Sequence, residues 1–89
     1  MAERLVTELT DAELVELAED RERCAARCEA AALSGDRDAA DPTNSETTRA
    51  QAAAAAKVAR DHAQDYREEA ADFRAGEVPE RYWGAYYTG

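Results

Sequence analysis

The sequence has few large apolar residues and no long apolar run. It contains no isoleucine, one phenylalanine and one methionine, whereas 22 of its 89 residues are alanine. A chain of this length forms one small domain, and alanine offers little apolar area to bury. No stretch of about 18 apolar residues is present, so we predict no membrane-spanning helix. Residues 1–4 also lack the layout of a signal peptide, and we therefore expect a cytoplasmic protein without membrane contact.

Residue patterns that support catalysis or cofactor binding are missing. The chain has no Gly-rich phosphate loop and no basic stripe, which argues against nucleotide binding and direct nucleic-acid binding. Ser34 and Ser45 stand at predicted helix boundaries, where a hydroxyl has a capping or turn role. A di-iron bundle would need Glu-x-x-His, but alanine stands three residues before His62, so we expect this side chain only to pair with Asp65. We predict a non-enzymatic protein without a cofactor.

Two cysteines, Cys24 and Cys28, lie four residues apart and share one face of a predicted helix. This pair fits a reducing compartment better than a disulfide framework. Two interpretations stay open. The cysteines can be small apolar fillers of a helix seam, or they can form half of a four-cysteine zinc or copper(I) site that a second chain completes. The sequence shows no further ligands at a recognisable spacing, so we favour the filler and keep metal binding as the weaker alternative.

The first of two long helices is predicted over residues 11–33. Thr10 and Glu13 form a capping box, and Leu9 with Leu14 forms a hydrophobic staple, so the helix begins at Asp11. The Ser-Gly pair at residues 34–35 predicts its end. Its inner face is predicted to contain Leu14, Leu17, Arg21, Cys24, Cys28 and Ala31, at alternating steps of three and four residues.

The second helix is predicted over residues 43–75. Thr43 and Glu46 fit a capping box, with Asn44 and Ser45 as alternative N-caps. Gly76 is suited to the left-handed position that follows a helix, and no glycine or proline interrupts the segment. Its inner face is predicted to contain Ala52, Ala56, Ala59, Ala63, Tyr66, Ala70 and Phe73.

These segments predict an all-α fold, an antiparallel two-helix hairpin with an N-terminal arm at residues 1–9 and a short aromatic helix or turn at residues 79–87. A connection over about residues 34–43 would place Leu14 near Ala63 and let the second helix extend about two turns beyond the first. Leu5, Val6 and Leu9 would then cover Ala70 and Phe73. The hairpin can be a monomer closed by its two ends, or it can dimerise into a four-helix bundle.

Negative charge is concentrated in two windows. Residues 11–22 contain six acidic residues and one arginine, and residues 61–72 contain five and one. In an antiparallel hairpin both windows lie in the half away from the connection, and Glu13, Glu16 and Asp20 form a row without an intervening base. Such carboxylates can present to a basic groove roughly what phosphates would, although a solvated helix face is the alternative. The predicted contact acids are Glu13, Glu16, Asp20, Asp61, Asp65, Glu68, Glu69 and Asp72.

The C-terminal segment contains four of the six aromatic residues, Tyr82, Trp83, Tyr86 and Tyr87. These side chains can seal the open end of the hairpin against Leu9 and its neighbours. They can also stay partly exposed as anchors for another protein, since aromatic residues dominate interface hot spots.

The function that we hypothesise from this pattern is non-enzymatic. A small acidic module would occlude a basic surface on a partner, such as a nucleic-acid-binding protein or a nuclease complex, in the manner of a DNA mimic or a phage anti-defence inhibitor of the anti-CRISPR type. Charge geometry alone supports this hypothesis. A structural module that oligomerises through its helices is the alternative.

Overall fold

A computed structural model describes residues 3–5, 9–79 and 86–88 of the protein. Two long helices, α1 (Asp11–Ala40) and α2 (Glu46–Arg74), pack against each other and form the body of the molecule. The predicted helical hairpin is therefore confirmed. Two three-residue strands, β1 (Glu3–Leu5) and β2 (Tyr86–Thr88), pair in antiparallel register with Glu3 opposite Thr88.

The start of α1 follows the predicted capping box. The Thr10 backbone N–H donates to Oε1 of Glu13 at 3.0 Å, and the Glu13 backbone N–H donates to Oγ1 of Thr10 at 3.2 Å. Leu9 is half-buried against the cluster that contains Leu14, as a hydrophobic staple requires. Local chemistry thus defines the residue at which α1 begins.

The predicted end of α1 near Leu33 is wrong, because the helix continues through Ser34 and Gly35 to Ala40. Gly35 is a packing residue and does not cap the helix. A Cβ atom placed on Gly35 would lie 2.8 Å from the carbonyl oxygen of Ala52 and 3.0 Å from Cβ of Ala56. The absence of a side chain therefore lets the helices approach closely, and this contact offsets the usual cost of glycine inside a helix.

The helix ends instead at Asp41, whose extended backbone (ψ 110°) fits a residue that precedes proline. The Asp41 carboxylate accepts hydrogen bonds from the backbone N–H and the hydroxyl of Thr43, at 2.9 and 2.7 Å. These bonds hold the pKa of Asp41 below its ordinary value. The side-chain amide of Asn44 donates to the Asp38 carbonyl at 3.0 Å and satisfies one of the last carbonyls of α1.

Helix α2 begins at Glu46 and uses Ser45, one of the alternative caps, in place of Thr43. The Ser45 hydroxyl accepts from the backbone N–H of Thr48 at 3.1 Å. Thr43 is occupied in the turn, which explains why the predicted capping box does not form. At the other end Gly76 has a φ of +79°. Glu77 donates to the Asp72 carbonyl at 2.8 Å, which completes a Schellman motif as the predicted C-terminal glycine suggested.

The predicted pairing of the helices is also corrected. The helices contain 30 and 29 residues, so neither extends two turns beyond the other. Leu14 lies in one cluster with Ala70 and Phe73, not beside Ala63. The reason is the longer α1, which moves the connection toward Asp41 and shifts every facing pair.

Alanines spaced seven residues apart form the seam between the helices. The predicted inner face of α2 is confirmed, since all of its members are buried or half-buried. The buried face of α1 is rotated relative to the predicted one, because Ala31 is exposed and Ala32 is buried in its place. The buried apolar residues of the seam are Leu14, Ala18, Ala25, Ala32, Ala56, Ala63, Ala70 and Phe73.

The C-terminal helix or turn predicted over residues 79–87 does not extend to its last residues, because Tyr86 and Tyr87 belong to β2. Tyrosine and threonine favour strands, and β1 supplies the pairing edge. Tyr82, Trp83 and Val6 lie outside the described residues, so their predicted contacts stay predictions. Leu9 packs on the Leu14 cluster as predicted, and Val78 joins it.

We predict that Gly35→Ala destabilises the protein. Alanine gains about 0.5–1 kcal/mol of helix propensity, but overpacking against a backbone oxygen costs about 1–3 kcal/mol. We expect a net loss of about 1 kcal/mol in the free energy of unfolding, measured by urea denaturation. Ser34→Ala, at the exposed neighbouring position, is the matched control and should not destabilise. A more stable Gly35→Ala variant would contradict the close approach at this point.

Candidate functional site

The hairpin has two unlike flanks, one on each side of the alanine seam. The ionic flank is the side on which acidic residues of α1 meet arginines of α2. Its members are Glu22, Glu29, Asp36, Arg60, Arg67 and Arg74. Four of these charged side chains line a groove of about 530 Å³ on the ionic flank. The open flank is the opposite side, and it contains a groove of about 500 Å³ without acidic residues in its lining. The residues that line this groove are Cys24, Arg27, Cys28, Ala31, Ala55, Val58, Ala59, His62 and Tyr66.

On the ionic flank the guanidinium groups and carboxylates pair one to one across the helices. Nε and Nη2 of Arg74 donate to the two carboxylate oxygens of Glu22, each at 2.7 Å. Nη1 and Nη2 of Arg60 donate to the two carboxylate oxygens of Asp36, and Arg67 pairs with Glu29. Hydrogen bonds from Arg74 and Arg60 lower the pKa values of Glu22 and Asp36.

This ladder of ion pairs was not predicted, although its signal is present in the sequence. The three acids follow each other at intervals of seven residues on α1, and the three arginines do so on α2. In an antiparallel pair of helices, the positions beside the seam on one helix face the equivalent positions on the other, and their order along the second helix is reversed. The seven-residue spacing would therefore have predicted the ladder once the correct register was known.

A further ion pair crosses the seam and changes the predicted acidic surface. Glu69 is only 6% exposed, and its carboxylate accepts from Nε of Arg21 at 3.3 Å. Nη1 of Arg21 also donates to Asp20 at 2.5 Å, and Arg23 lies 3.8 Å from Asp20. Glu69 is thus part of the interior. The row of Glu13, Glu16 and Asp20 is not free of bases, because Arg21 lies on the seam and reaches back to Asp20.

The remaining predicted contact acids lie in several different environments. Asp61 pairs with Lys57 at 3.3 Å, and Glu68 accepts from the side chain of Gln64 at 3.1 Å. Glu16 and Asp65 are exposed and form no ion pair among the described residues. The seven-residue repeat that contains the buried alanines shows which side of its helix each residue occupies. By this repeat, four of the predicted acids lie beside the open flank and three lie on the outer faces of the helices. The first group is Glu13, Asp20, Asp65 and Asp72, and the second is Glu16, Asp61 and Glu68.

The division of charge along the hairpin persists despite these ion pairs. The half away from the connection, residues 9–25 and 61–79, has twelve acidic residues and four arginines, a net charge of −8. The half that contains the connection, residues 26–60, has five acidic and five basic residues. Each ion pair neutralises only one carboxylate, and the acidic residues of this half outnumber its arginines. The excess of carboxylates therefore stays at one end.

The open flank brings together three side chains that lie on two different helices. Cys24 and Cys28 are free thiols, both half-buried, and His62 is exposed on the facing helix. Nη2 of Arg27 lies 3.2 Å from Sγ of Cys24. Cys28 is on the seam as predicted, whereas Cys24 lies on its edge. In their present positions no three Cys, His, Asp or Glu side chains of the described chain are close enough to hold a metal ion.

Comparison with known proteins yields no relative from which a role could be transferred. No protein-family model, curated protein or solved structure matches the chain. Within the described residues, neither long helix has a segment apolar enough to cross a bilayer. The assignment of function therefore rests on the surface chemistry of the hairpin.

We predict that the ionic flank makes the protein sensitive to acid. The pKa values of Glu22 and Asp36 are depressed in the folded state, below ordinary values of 4.5 and 3.8. Their stabilising contribution is therefore complete above those ordinary values and is lost as the pH falls through the depressed ones. We expect the drop in Tm between pH 7 and pH 3 to be smaller in Glu22→Gln/Asp36→Asn than in the wild type. The control Glu16→Gln/Asp65→Asn, which removes two carboxylates without ion pairs, should retain a larger drop; equal drops would contradict the assignment.

Proposed function

We propose that this hairpin is a non-enzymatic acidic binding protein that covers a basic, nucleic-acid-binding surface of another protein. The observation that carries the proposal is the division of charge, a net −8 in one half of the hairpin and none in the other. A charge confined to one end steers that end toward a positive surface, which raises the rate of encounter and selects an orientation.

The spacing of carboxylates along the two helices supports this proposal. Residues seven apart on one helix lie about 10 Å apart on the same face, so acidic residues at this interval form a regular row of negative charge. Glu13 and Asp20 have this spacing on α1, and Asp65 and Asp72 have it on α2. Both pairs adjoin the open flank, so a cationic groove would meet two rows of carboxylates on a fixed frame.

The proposed contact surface is smaller than the sequence alone suggested. Glu69 is excluded because it is buried against Arg21. Glu13, Asp20, Asp65 and Asp72 stay, together with the exposed Glu16, and the aromatic residues of the C-terminal segment adjoin them along the chain. Regulators that mimic DNA and phage inhibitors of host defence nucleases, anti-CRISPR proteins among them, are the settings in which such a surface would act.

We predict that the position of a charge matters more than its number. Asp65→Asn/Asp72→Asn should weaken binding to an oligo-arginine peptide roughly two- to thirtyfold at low salt, from about 0.2–1 kcal/mol per exposed charge pair. The matched control Asp38→Asn/Glu46→Gln removes two carboxylates from the other half and should weaken binding less. Titration calorimetry at low and high salt gives both affinities, and circular dichroism confirms equal helix content. Equal losses of affinity in the two variants would show that the acidic end is not the binding surface.

A structural role through self-association is the second candidate, and the open flank favours it. Val58 is 54% exposed beside an apolar groove, and a second hairpin laid over this flank would bury both in a four-helix bundle.

Sedimentation over a range of concentrations separates the two candidates. The acidic binding protein is expected to stay monomeric at low and high salt. Self-association predicts a doubling of mass that persists in high salt, where charge contributes little, and that Val58→Asp abolishes.

A further inference from the structure

We propose that Cys24, Cys28 and His62 form a site for one thiophilic metal ion, Cu(I) or Zn(II), within a single chain. The two sulfurs come from α1 and the imidazole comes from α2, so the site exists only when the hairpin is folded. This site is independent of the acidic contact surface. It lies in the open-flank groove, and none of the proposed contact acids lines that groove.

The spacing on α1 supplies two ligands to one point. Residues four apart on a helix have Cβ atoms about 5–6 Å apart. With metal–sulfur distances near 2.3 Å, two such cysteines can bind a single ion. Thiolate sulfur is the ligand that selects Cu(I) and Zn(II) over harder cations.

The third ligand comes from the facing helix. His62 lines the same groove as both cysteines, and it occupies the flanking position of α2 that faces Cys24 in the observed register. Imidazole suits both copper and zinc and binds zinc at about 2.0–2.1 Å. Two thiolates and one imidazole form the protein ligand set of known zinc sites in which water takes the fourth position.

Binding requires the three side chains to turn toward one another, because they are not within a common coordination sphere as they stand. Both cysteines are half-buried and His62 is exposed, so none of the three side chains is enclosed in the core. The groove of about 500 Å³ provides room for an ion.

The charge of the loaded site depends on the ion. The two thiols release their protons to solvent when the metal binds, which leaves two negative sulfurs. Arg27 already contacts Sγ of Cys24 through Nη2 at 3.2 Å. With Cu(I) the site keeps one negative charge, which this guanidinium offsets, whereas with Zn(II) the charges of the ion and the two thiolates cancel.

The test is a metal titration of reduced, metal-free protein. Co(II) serves as the spectroscopic probe for Zn(II), because thiolate ligands give it a charge-transfer absorption. Competition with a chromophoric chelator gives the affinities for Zn(II) and Cu(I), and native mass spectrometry gives the stoichiometry. We expect one ion per chain, a charge-transfer band that Cys24→Ser and Cys28→Ser each greatly reduce, and a higher Tm in the loaded protein.

The variant His62→Gln decides whether the tertiary structure supplies the third ligand. We expect it to weaken binding at least tenfold while the charge-transfer band of the two thiolates remains. Gln64→Ala, at an exposed position of α2 outside the groove lining, is the matched control and should bind like the wild type. Circular dichroism checks that each variant keeps its helix content.

Three outcomes would overturn the proposal. Unchanged affinity in His62→Gln would remove the imidazole from the site. One ion per two chains with four thiolates would indicate a shared four-cysteine site in its place. Binding that survives in a Cys24→Ser/Cys28→Ser variant would show that the metal lies elsewhere.

Discussion

The close approach of two helices along small residues is the constraint on which this structure depends. Ala18, Ala25 and Ala32 face a matching set of alanines on α2, and Gly35 lies against the Ala52 carbonyl. Each methyl group buries little area, so stability requires many short contacts along the full length of both helices. The same proximity places the side chains on the two flanks within reach of one another. The ion pairs of one flank and the groove of the other are both consequences of this seam.

The two flanks differ because their residues differ in length and charge. Long arginines on α2 reach carboxylates on α1 and pair with them across the ionic flank, where two of them, Arg67 and Arg74, line a groove. On the opposite side cysteine, alanine and histidine occupy equivalent positions, and these side chains leave a groove open. The acidic residues beside that flank belong mainly to the half away from the connection. The proposed contact acids and the proposed metal site therefore lie on the same side of the hairpin, at different positions along its length.

The Arg21–Glu69 pair has a role in specifying the alignment. Burying two charges has a desolvation cost that often equals the gain from pairing, so the pair is a weak source of stability. A slip of one heptad would separate Arg21 from Glu69 and break this ion pair. Loss of the pair disfavours the slipped alignment, although the repeating alanine pattern alone would tolerate it.

Local signals in the sequence correctly predicted two helix boundaries, the start of α1 and the end of α2. The Thr10–Glu13 capping box and the Gly76 cap involve residues within five positions of one another, and such contacts form in the same way whatever the rest of the chain does. The Ser34–Gly35 stop failed for the opposite reason. A glycine inside a helix costs only about 1 kcal/mol, and the contact between Gly35 and α2 outweighs that preference.

The amino-acid sequence by itself determined that two long helices form, that their inner faces are rich in alanine, and that most of the negative charge lies in two windows. Only the tertiary structure decided which residues face each other. The predicted pairing of Leu14 with Ala63 failed because it depended on where the connection begins, and that boundary depends on a contact between distant residues. The ionic ladder, the burial of Glu69 and the convergence of Cys24, Cys28 and His62 on one groove all follow from the register. Register is a property of the packed pair, since every heptad of an alanine-rich helix offers nearly the same surface to its neighbour.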